Sequence, residues 1–317
     1  MDLHQKVNLV KKELSKVIVG QSEMVDALLI GLFTNGHILL EGVPGLAKTT
    51  TVKTLADIIN LDFKRVQFTP DLLPSDIIGA QIYDMKTSEF KIKKGPIFTN
   101  LLLADEINRA PAKVQSALLE VMQERQVTIA ENSFKVDSPF LVLATQNPIE
   151  QEGAYTLPEA QLDRFMFKIV VGYNTKEEEY EIAKKVTSNE TVYLDKILDK
   201  ETLEEIKKEV SSIHIDSELE KYIVDIVCAT REPLEYGLEE IKDYIQFGAS
   251  PRATIDMFKA VKAMAFIRGN DFVSPVDIAL VVKNILRHRI ILSYEAEAMQ
   301  ITTDELIKKI MEIIEIP

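Results

Sequence analysis

The chain of 317 residues has no run of about 18 apolar residues, the length that a membrane-spanning helix needs. Its N-terminal segment, residues 1–20, alternates charged and apolar residues at helical spacing and lacks the continuous apolar core of a signal peptide. The apolar and charged fractions, 46% and 27%, are typical of globular proteins. We therefore expect a globular protein without membrane insertion, long enough for two domains.

Cysteine is nearly absent, since Cys228 is the single one and cannot form an internal disulfide. A reducing, cytoplasmic location is therefore expected. The four histidines are scattered and form no cluster with Cys228 or with carboxylates at metal-ligand spacing, so a zinc site is not expected.

Basic clusters are also scarce. The net charge is −13, and it divides into −3 for residues 1–173 (18 basic against 21 acidic) and −10 for the rest (19 against 29). The densest basic stretch, "KIKKGP" at 91–96, is interpreted as the solvated edge of a hairpin. A surface this acidic repels a phosphate backbone, so nucleic-acid binding is unlikely on these grounds.

The first half of the chain alternates apolar strands with helices, which predicts an α/β fold with a parallel sheet covered on both faces. Segments 81–92 and 127–136 alternate apolar and polar residues around a turn and predict two β-hairpins. The helices are expected at Lys48–Asn60 and Ala112–Glu124. The strands are expected at His37–Glu41, Phe63–Thr69, Asn100–Asp105, Pro139–Asn147 and Phe165–Val171.

Beyond about residue 174 the strand signals fade and helix-start signals follow one another. We expect a first domain at 1–173 and an all-α second domain at 174–317. The expected N-terminal caps or first residues are Thr175, Asp216, Ser250, Ser274 and Thr302.

The stretch "EGVPGLAKTT" at 41–50 lies between a predicted strand and a predicted helix, as a phosphate-binding loop does. Gly42 and Gly45 allow the backbone N–H groups to converge on an anion, and the helix N-terminus adds its dipole. Lys48 would carry positive charge to the β- and γ-phosphates, and the Thr49 hydroxyl would bind Mg²⁺. Ala47 departs from the usual glycine, and an ordinary strand-to-helix turn is the alternative.

A second motif, "LLLADEINR", ends an apolar strand in two carboxylates, the Walker B pattern. Asp105 would bind the magnesium ion, and Glu106 would orient and deprotonate the attacking water. Alone, such a pair is usually just solvated, but the phosphate loop makes the functional interpretation stronger.

Three further polar residues follow, each with a structural alternative. Asn147 ends the strand "FLVLATQ" and could bind a water or the γ-phosphate, or could simply begin an Asn-Pro turn. Arg164 could reach a neighbouring subunit's phosphate, or could pair with Asp163. Arg252 lies in the first turn of a helix, where the dipole disfavours a cation, and a surface salt bridge could also explain it.

Taken together, these motifs resemble the MoxR family of AAA+ ATPases. The similarity runs in order from about Val17 to Ala253 and includes "VIVGQSEMVDALLIGLFTNGHILLEGVPGLAKT", "LLLADEINRAPAKVQSALLEVMQERQVTI", "FLVLATQNPIEQEGAYTLPEAQLDRFMFKI" and "ASPRA". The family's own phosphate loop resembles this one, including the alanine at position 47.

The resemblance implies an AAA+ core with a five-stranded parallel sheet, a helix-2 insert hairpin, a pre-sensor-1 hairpin and a helical lid. It implies ATP and Mg²⁺ as cofactors, with Asn147 as sensor 1, Arg164 as arginine finger and Arg252 as sensor 2. Arg109 is an alternative trans-acting arginine. The implied nucleotide contacts are Val19, Gly20 and Gln21 near the adenine, and Gly42, Val43, Pro44, Gly45, Leu46, Ala47, Lys48, Thr49 and Thr50 at the phosphates.

The resemblance further implies a hexameric ring that remodels or matures client proteins, often with a von Willebrand factor A-domain protein. An MCM-like nucleic-acid motor shares the hairpin-bearing architecture, but the net charge of −13 argues against it. A metal-chelatase motor subunit is a near relative of the leading hypothesis. A nucleotide-dependent scaffold with little hydrolysis is a third possibility, opposed by the intact Asp105–Glu106 pair.

Overall fold

The computed structural model describes residues 2–42, 48–147, 155–188 and 192–317. They divide into two compact units, one formed by Met1–Leu157 with Ile169–Leu203, the other by Pro158–Lys168 with Glu204–Pro317. The domain boundary expected after residue 173 stays a prediction, because packing units and domains need not coincide.

The first unit is built around a five-stranded parallel sheet in the order β2-β5-β8-β1-β9, which confirms the predicted fold class. Each strand lies within its predicted range and is one to three residues shorter. The strands are β1 (Ile38–Glu41), β2 (Phe63–Gln67), β5 (Leu101–Asp105), β8 (Leu141–Gln146) and β9 (Phe167–Val170).

The inner strands are apolar because helices cover both faces of the sheet. Leu101–Ala104 of β5 and Ile38–Leu40 of β1 are all fully buried. By contrast, β2 forms an edge of the sheet and carries the exposed charged residues Lys64 and Arg65. Charged side chains on an edge strand hinder unwanted pairing with other chains.

Both predicted hairpins are confirmed. The first pairs β3 (Gly79–Asp84) with β4 (Glu89–Lys94), and the second pairs β6 (Gln126–Ile129) with β7 (Asn132–Lys135). Ala130 at the second turn has φ of 54°, in the left-handed region that tight hairpin turns require.

The helices of the first unit include α3, which begins at Lys48, and α5, whose bounds match the prediction. The helices that begin before residue 200 are α1 (Leu3–Val17), α2 (Ser22–Thr34), α3 (Lys48–Ile58), α4 (Pro74–Ile78), α5 (Ala112–Glu124), α6 (Glu159–Leu162) and α7 (Lys176–Thr187). None of the helices in the described ranges is long and apolar enough to cross a membrane.

The C-terminal part is helical, as predicted, and five of its helices begin at the expected caps, whereas the helices that begin at Lys200 and Tyr294 had no predicted start. Thr175 and Thr302 each form a capping box with a glutamate three residues later, and Ser274 does so with Asp277. These helices are α8 (Lys200–Ser212), α9 (Ser217–Ala229), α10 (Pro251–Ile267), α11 (Pro275–Leu286), α12 (Tyr294–Ala298) and α13 (Thr303–Ile313). The sequence also did not predict a short antiparallel pair of β10 (Ile245–Phe247) and β11 (Ile291–Leu292).

Candidate functional site

The carboxyl ends of three neighbouring strands bring the predicted site residues of the first unit together. In the parallel register Ala104 of β5 lies beside Ala144 of β8, and Leu40 of β1 lies beside Thr145. Asp105 and Glu106 therefore leave the sheet next to Thr145, and Asn147 follows two residues later. Asn147 is buried, with 7% of its surface exposed.

Gly42, directly after β1, is held in a tight space. Its N–H donates to the carbonyl of Gln146 at 3.3 Å, and a Cβ at this position would lie 2.5 Å from the backbone oxygen of Val171. A residue other than glycine would require the backbone to move. The next five predicted phosphate-loop residues, Val43, Pro44, Gly45, Leu46 and Ala47, lie outside the described residues.

Lys48 begins α3, and its ammonium turns back toward the start of the loop. Nζ donates to the carbonyl of Gly42 at 2.6 Å. Burial lowers the pKa of Lys48, and the carboxylates of Asp105, Glu41 and Glu106 oppose that shift by favouring the charged form. The ammonium therefore lies within electrostatic reach of the Walker B pair. Of the two threonines that follow, Thr49 is half-buried and Thr50 is exposed.

Asp105 has both carboxylate oxygens engaged. Oδ1 accepts from the Thr145 hydroxyl at 2.6 Å, and Oδ2 accepts from Arg65 of β2 at 2.6 and 3.0 Å. The side chain of Asp105 is 18% exposed. A carboxylate at the end of a strand is the type of oxygen ligand that Mg²⁺ takes.

Glu106 adopts a left-handed backbone conformation with φ of 56°. Its N–H donates to the Thr145 hydroxyl at 2.8 Å, so one threonine fixes both members of the Asp-Glu pair. Its Oε2 accepts from Gln67 at 2.6 Å and from Arg109 at 3.0 Å. Arg109 therefore contacts the Walker B glutamate within the same chain, a geometry that the sequence did not predict.

Sequence reasoning missed Arg65, Gln67 and Thr145. The available signal was weak: residues 65 and 67 share one face of β2 because side chains alternate along a strand. Only the sheet order, which sets β2 beside β5, shows that this face reaches Asp105 and Glu106.

The segment predicted to contact adenine also has an unusual backbone. Gly20 and Gln21 have φ of 69° and 58°, and the Gln21 amide donates to Asn174 at 3.0 Å. Val19 is half-buried. A cavity of about 160 Å³ adjoins Gly20, and both apolar side chains such as Leu14 and Ile18 and polar or charged ones line it.

The other two predicted arginines lie in the second unit. Arg252, in the first turn of α10, forms the ion pair anticipated as its structural alternative, at 3.2 Å from Asp163 Oδ2. Asp163 also accepts from the Ser250 hydroxyl and from the fully buried Arg289 at 2.9 Å. Arg164, the next residue, is half-buried. Asp163 therefore contacts Arg252, the N-cap residue Ser250 and the buried guanidinium of Arg289 at the same time.

Among the described residues, no group of three or more His, Cys, Asp or Glu side chains could hold a metal ion. This finding is compatible with Mg²⁺, which proteins usually hold through one or two carboxylates together with substrate phosphates. The Thr49 hydroxyl and the Asp105 carboxylate are hard oxygen donors and fit that chemistry.

Comparisons with known proteins identify the family and the fold of the chain. Residues 37–167 match the model of the ATPase family associated with various cellular activities (AAA), and residues 239–310 match the AAA lid domain. The 2.00 Å crystal structure of a Cytophaga hutchinsonii protein proposed to be an ATPase has a TM-score of 0.94 and 55% identity, over 99% of this chain and 96% of that one.

Several curated relatives carry the family name. Chaperone MoxR1 of Mycobacterium tuberculosis is 48% identical over 96% of this chain and 81% of its own length. Protein MoxR of Paracoccus denitrificans is 30% identical over 92% of this chain and 90% of its own length. Because these relatives match more than nine-tenths of its length at 30% identity or more, the chain belongs to the MoxR family of AAA+ ATPases.

Proposed function

We propose that the chain binds ATP with Mg²⁺ and hydrolyses it at the carboxyl ends of β1, β5 and β8. The observation that carries this proposal is that the Thr145 hydroxyl holds both Asp105 and Glu106, and that both carboxylates act electrostatically on the Lys48 ammonium. Phosphoryl transfer to water requires a cation near the phosphates, a carboxylate that can bind a metal ion, and a general base. Lys48, Asp105 and Glu106 are candidates for these three roles.

Mg²⁺ would be held by Asp105 and the Thr49 hydroxyl and would neutralise charge on the phosphates. Lys48 would bind the β- and γ-phosphates. Glu106 would accept a proton from the attacking water, for which it must give up its contacts with Gln67 and Arg109. Asn147 would orient that water.

The remaining residues would bind the nucleotide or report on it. The backbone of residues 42–47, with Thr50, would surround the phosphates, and Val19, Gly20 and Gln21 would contact adenine. Arg164 would act on a neighbouring subunit's nucleotide as an arginine finger, and Arg252 would sense the γ-phosphate.

At the level of the cell, we infer a chaperone-like role in the cytoplasm, in which ATP turnover drives remodelling or maturation of client proteins. The support is the 48% identity to a protein named as a chaperone. A finger arginine that acts in trans requires an assembly, and a hexameric ring is the form proposed. A von Willebrand factor A-domain protein is the proposed partner.

The decisive variant is Glu106→Gln, which keeps the size of the side chain and one accepting oxygen but removes the base. We expect nucleotide binding to persist while turnover falls by about 10²- to 10⁴-fold. The control is Glu131→Gln, which removes an exposed carboxylate at a hairpin turn. ATPase activity is measured by phosphate release, and nucleotide binding by fluorescence titration. Wild-type turnover in Glu106→Gln would refute the assignment of the base.

A further inference from the structure

Two side chains on β2 connect the carboxylates at the end of β5. Arg65 donates to Asp105 Oδ2 from Nε at 3.0 Å and from Nη2 at 2.6 Å, and the same Nη2 donates to Gln67 Oε1 at 2.9 Å. Gln67 Nε2 then donates to Glu106 Oε2 at 2.6 Å. A continuous path of hydrogen bonds therefore runs from Asp105 through Arg65 and Gln67 to Glu106.

Arg65 opposes a metal ion at Asp105. A carboxylate oxygen offers about two acceptor directions, and both on Oδ2 are taken by Arg65. A cation that binds Oδ2 must displace at least one of these donors. A cation that binds Oδ1 would lie across the same carboxylate from the guanidinium and be repelled by it.

Arg65 also determines the orientation of the Gln67 amide. A guanidinium can only donate hydrogen bonds, so the atom of Gln67 that faces it must be the accepting Oε1. The donating Nε2 is then directed at Glu106. The contact that restrains the candidate general base thus depends on a residue bound to the candidate metal carboxylate.

We propose that Arg65 is a positioning residue that links metal binding at Asp105 to the release of Glu106. The inference rests on the proposed function. When a metal ion binds Asp105, the guanidinium withdraws and Gln67 loses its fixed orientation. Glu106 then loses one of its two restraining contacts and keeps the one with Arg109. When the metal ion is not bound, Arg65 neutralises Asp105 and favours the restrained glutamate.

The experiment compares nucleotide affinity with and without the metal in Arg65→Met, using a fluorescent, non-hydrolysable ATP analogue in excess Mg²⁺ or in EDTA. With Mg²⁺, the variant should bind more tightly because a competitor for Asp105 is gone. In EDTA it should bind more weakly because Asp105 is no longer neutralised near the phosphates. The ratio of the dissociation constant in EDTA to the dissociation constant in Mg²⁺ should therefore rise. The expected rise is only about threefold, because the Arg65 side chain is 49% exposed and solvent weakens its interaction with Asp105.

Lys64→Met is the matched control, because Lys64 is exposed on the same strand and contacts the carbonyl of Phe98 rather than a carboxylate. It should leave the ratio unchanged. Arg65→Lys keeps the charge at the position and should restore most of the wild-type ratio. A merely structural role for Arg65 would instead weaken binding under both conditions.

The link through Gln67 has its own test. Gln67→Leu removes a partner of Arg65 without touching Asp105, so it should raise the same ratio in the wild-type background but not in Arg65→Met. An unchanged ratio in Arg65→Met, or equal effects of Gln67→Leu in both backgrounds, would overturn the inference. If the wild-type chain bound no nucleotide under either condition, the proposed function itself would fail.

Discussion

Buried His37 should make the α/β unit less stable as the pH falls below about 6.5. The imidazole is 6% exposed and uses both nitrogens: Nδ1 accepts from the Val142 N–H at 3.0 Å, and Nε2 contacts the carbonyl of Met122 at 3.1 Å. An accepting Nδ1 cannot carry a proton. Protonation would therefore break the contact with β8 and place a charge inside the core.

The magnitude follows from the pKa. Burial lowers the pKa of His37 from the ordinary 6.5 to about 4. Between pH 6.5 and pH 4 the unfolded chain binds more protons at His37 than the folded chain does. The contribution of neutral His37 to the free energy of unfolding is therefore fully present above pH 6.5 and is lost as the pH falls toward 4. The loss is about 2 kcal/mol at pH 5 and about 3 kcal/mol once the pH is below both values. Burial also lowers the pKa of His288, in the other unit, so this histidine too makes the folded state less stable as the pH falls.

The assay is urea unfolding at about pH 7.5 and about pH 5, followed by far-ultraviolet circular dichroism in wild type and in His37→Gln. Glutamine can accept and donate as the imidazole does but does not titrate. We expect wild type to lose about 2 kcal/mol more than His37→Gln between the two conditions. His214→Gln, which removes an exposed histidine, is the matched control and should retain the wild-type pH dependence. Equal pH dependence in wild type and His37→Gln would refute the reasoning.

Two substitutions test the packing of the site. Gly42→Ala places a Cβ 2.5 Å from the Val171 oxygen, so it should destabilise the chain by about 1–3 kcal/mol and lower the melting temperature. The control Gly172→Ala meets no atom within 4 Å and should leave the melting temperature nearly unchanged. Equal melting temperatures of the two variants would contradict this prediction. Thr145→Val removes the hydroxyl shared by Asp105 and Glu106, so it should destabilise the chain by about 1–3 kcal/mol and slow phosphate release. Wild-type stability and turnover in Thr145→Val would show that the hydroxyl does not position the pair.

The fold was predictable because its determinants are local. Strands buried on both faces are nearly all apolar, as in Leu101–Ala104, and capping boxes such as Thr302 with Glu305 mark helix starts within four residues. The β10–β11 pair was not predictable, because three- and two-residue strands are too short to show alternation and their register is irregular.

The site was predictable only in part, for a physical reason that the Asp105 contacts make clear. Strand-end residues such as Asp105 and Glu106 stand beside recognisable apolar runs, so their position at the end of the sheet follows from the local pattern. Their electrostatic partners come from adjacent strands: Arg65 and Thr145 each lie 40 residues from Asp105 in sequence. Which strands are adjacent depends on the order of the sheet, which is set by packing of the whole unit and leaves no local trace. Candidate ligand-binding residues can therefore be proposed from motifs, whereas the residues that hold these groups in place require the folded structure.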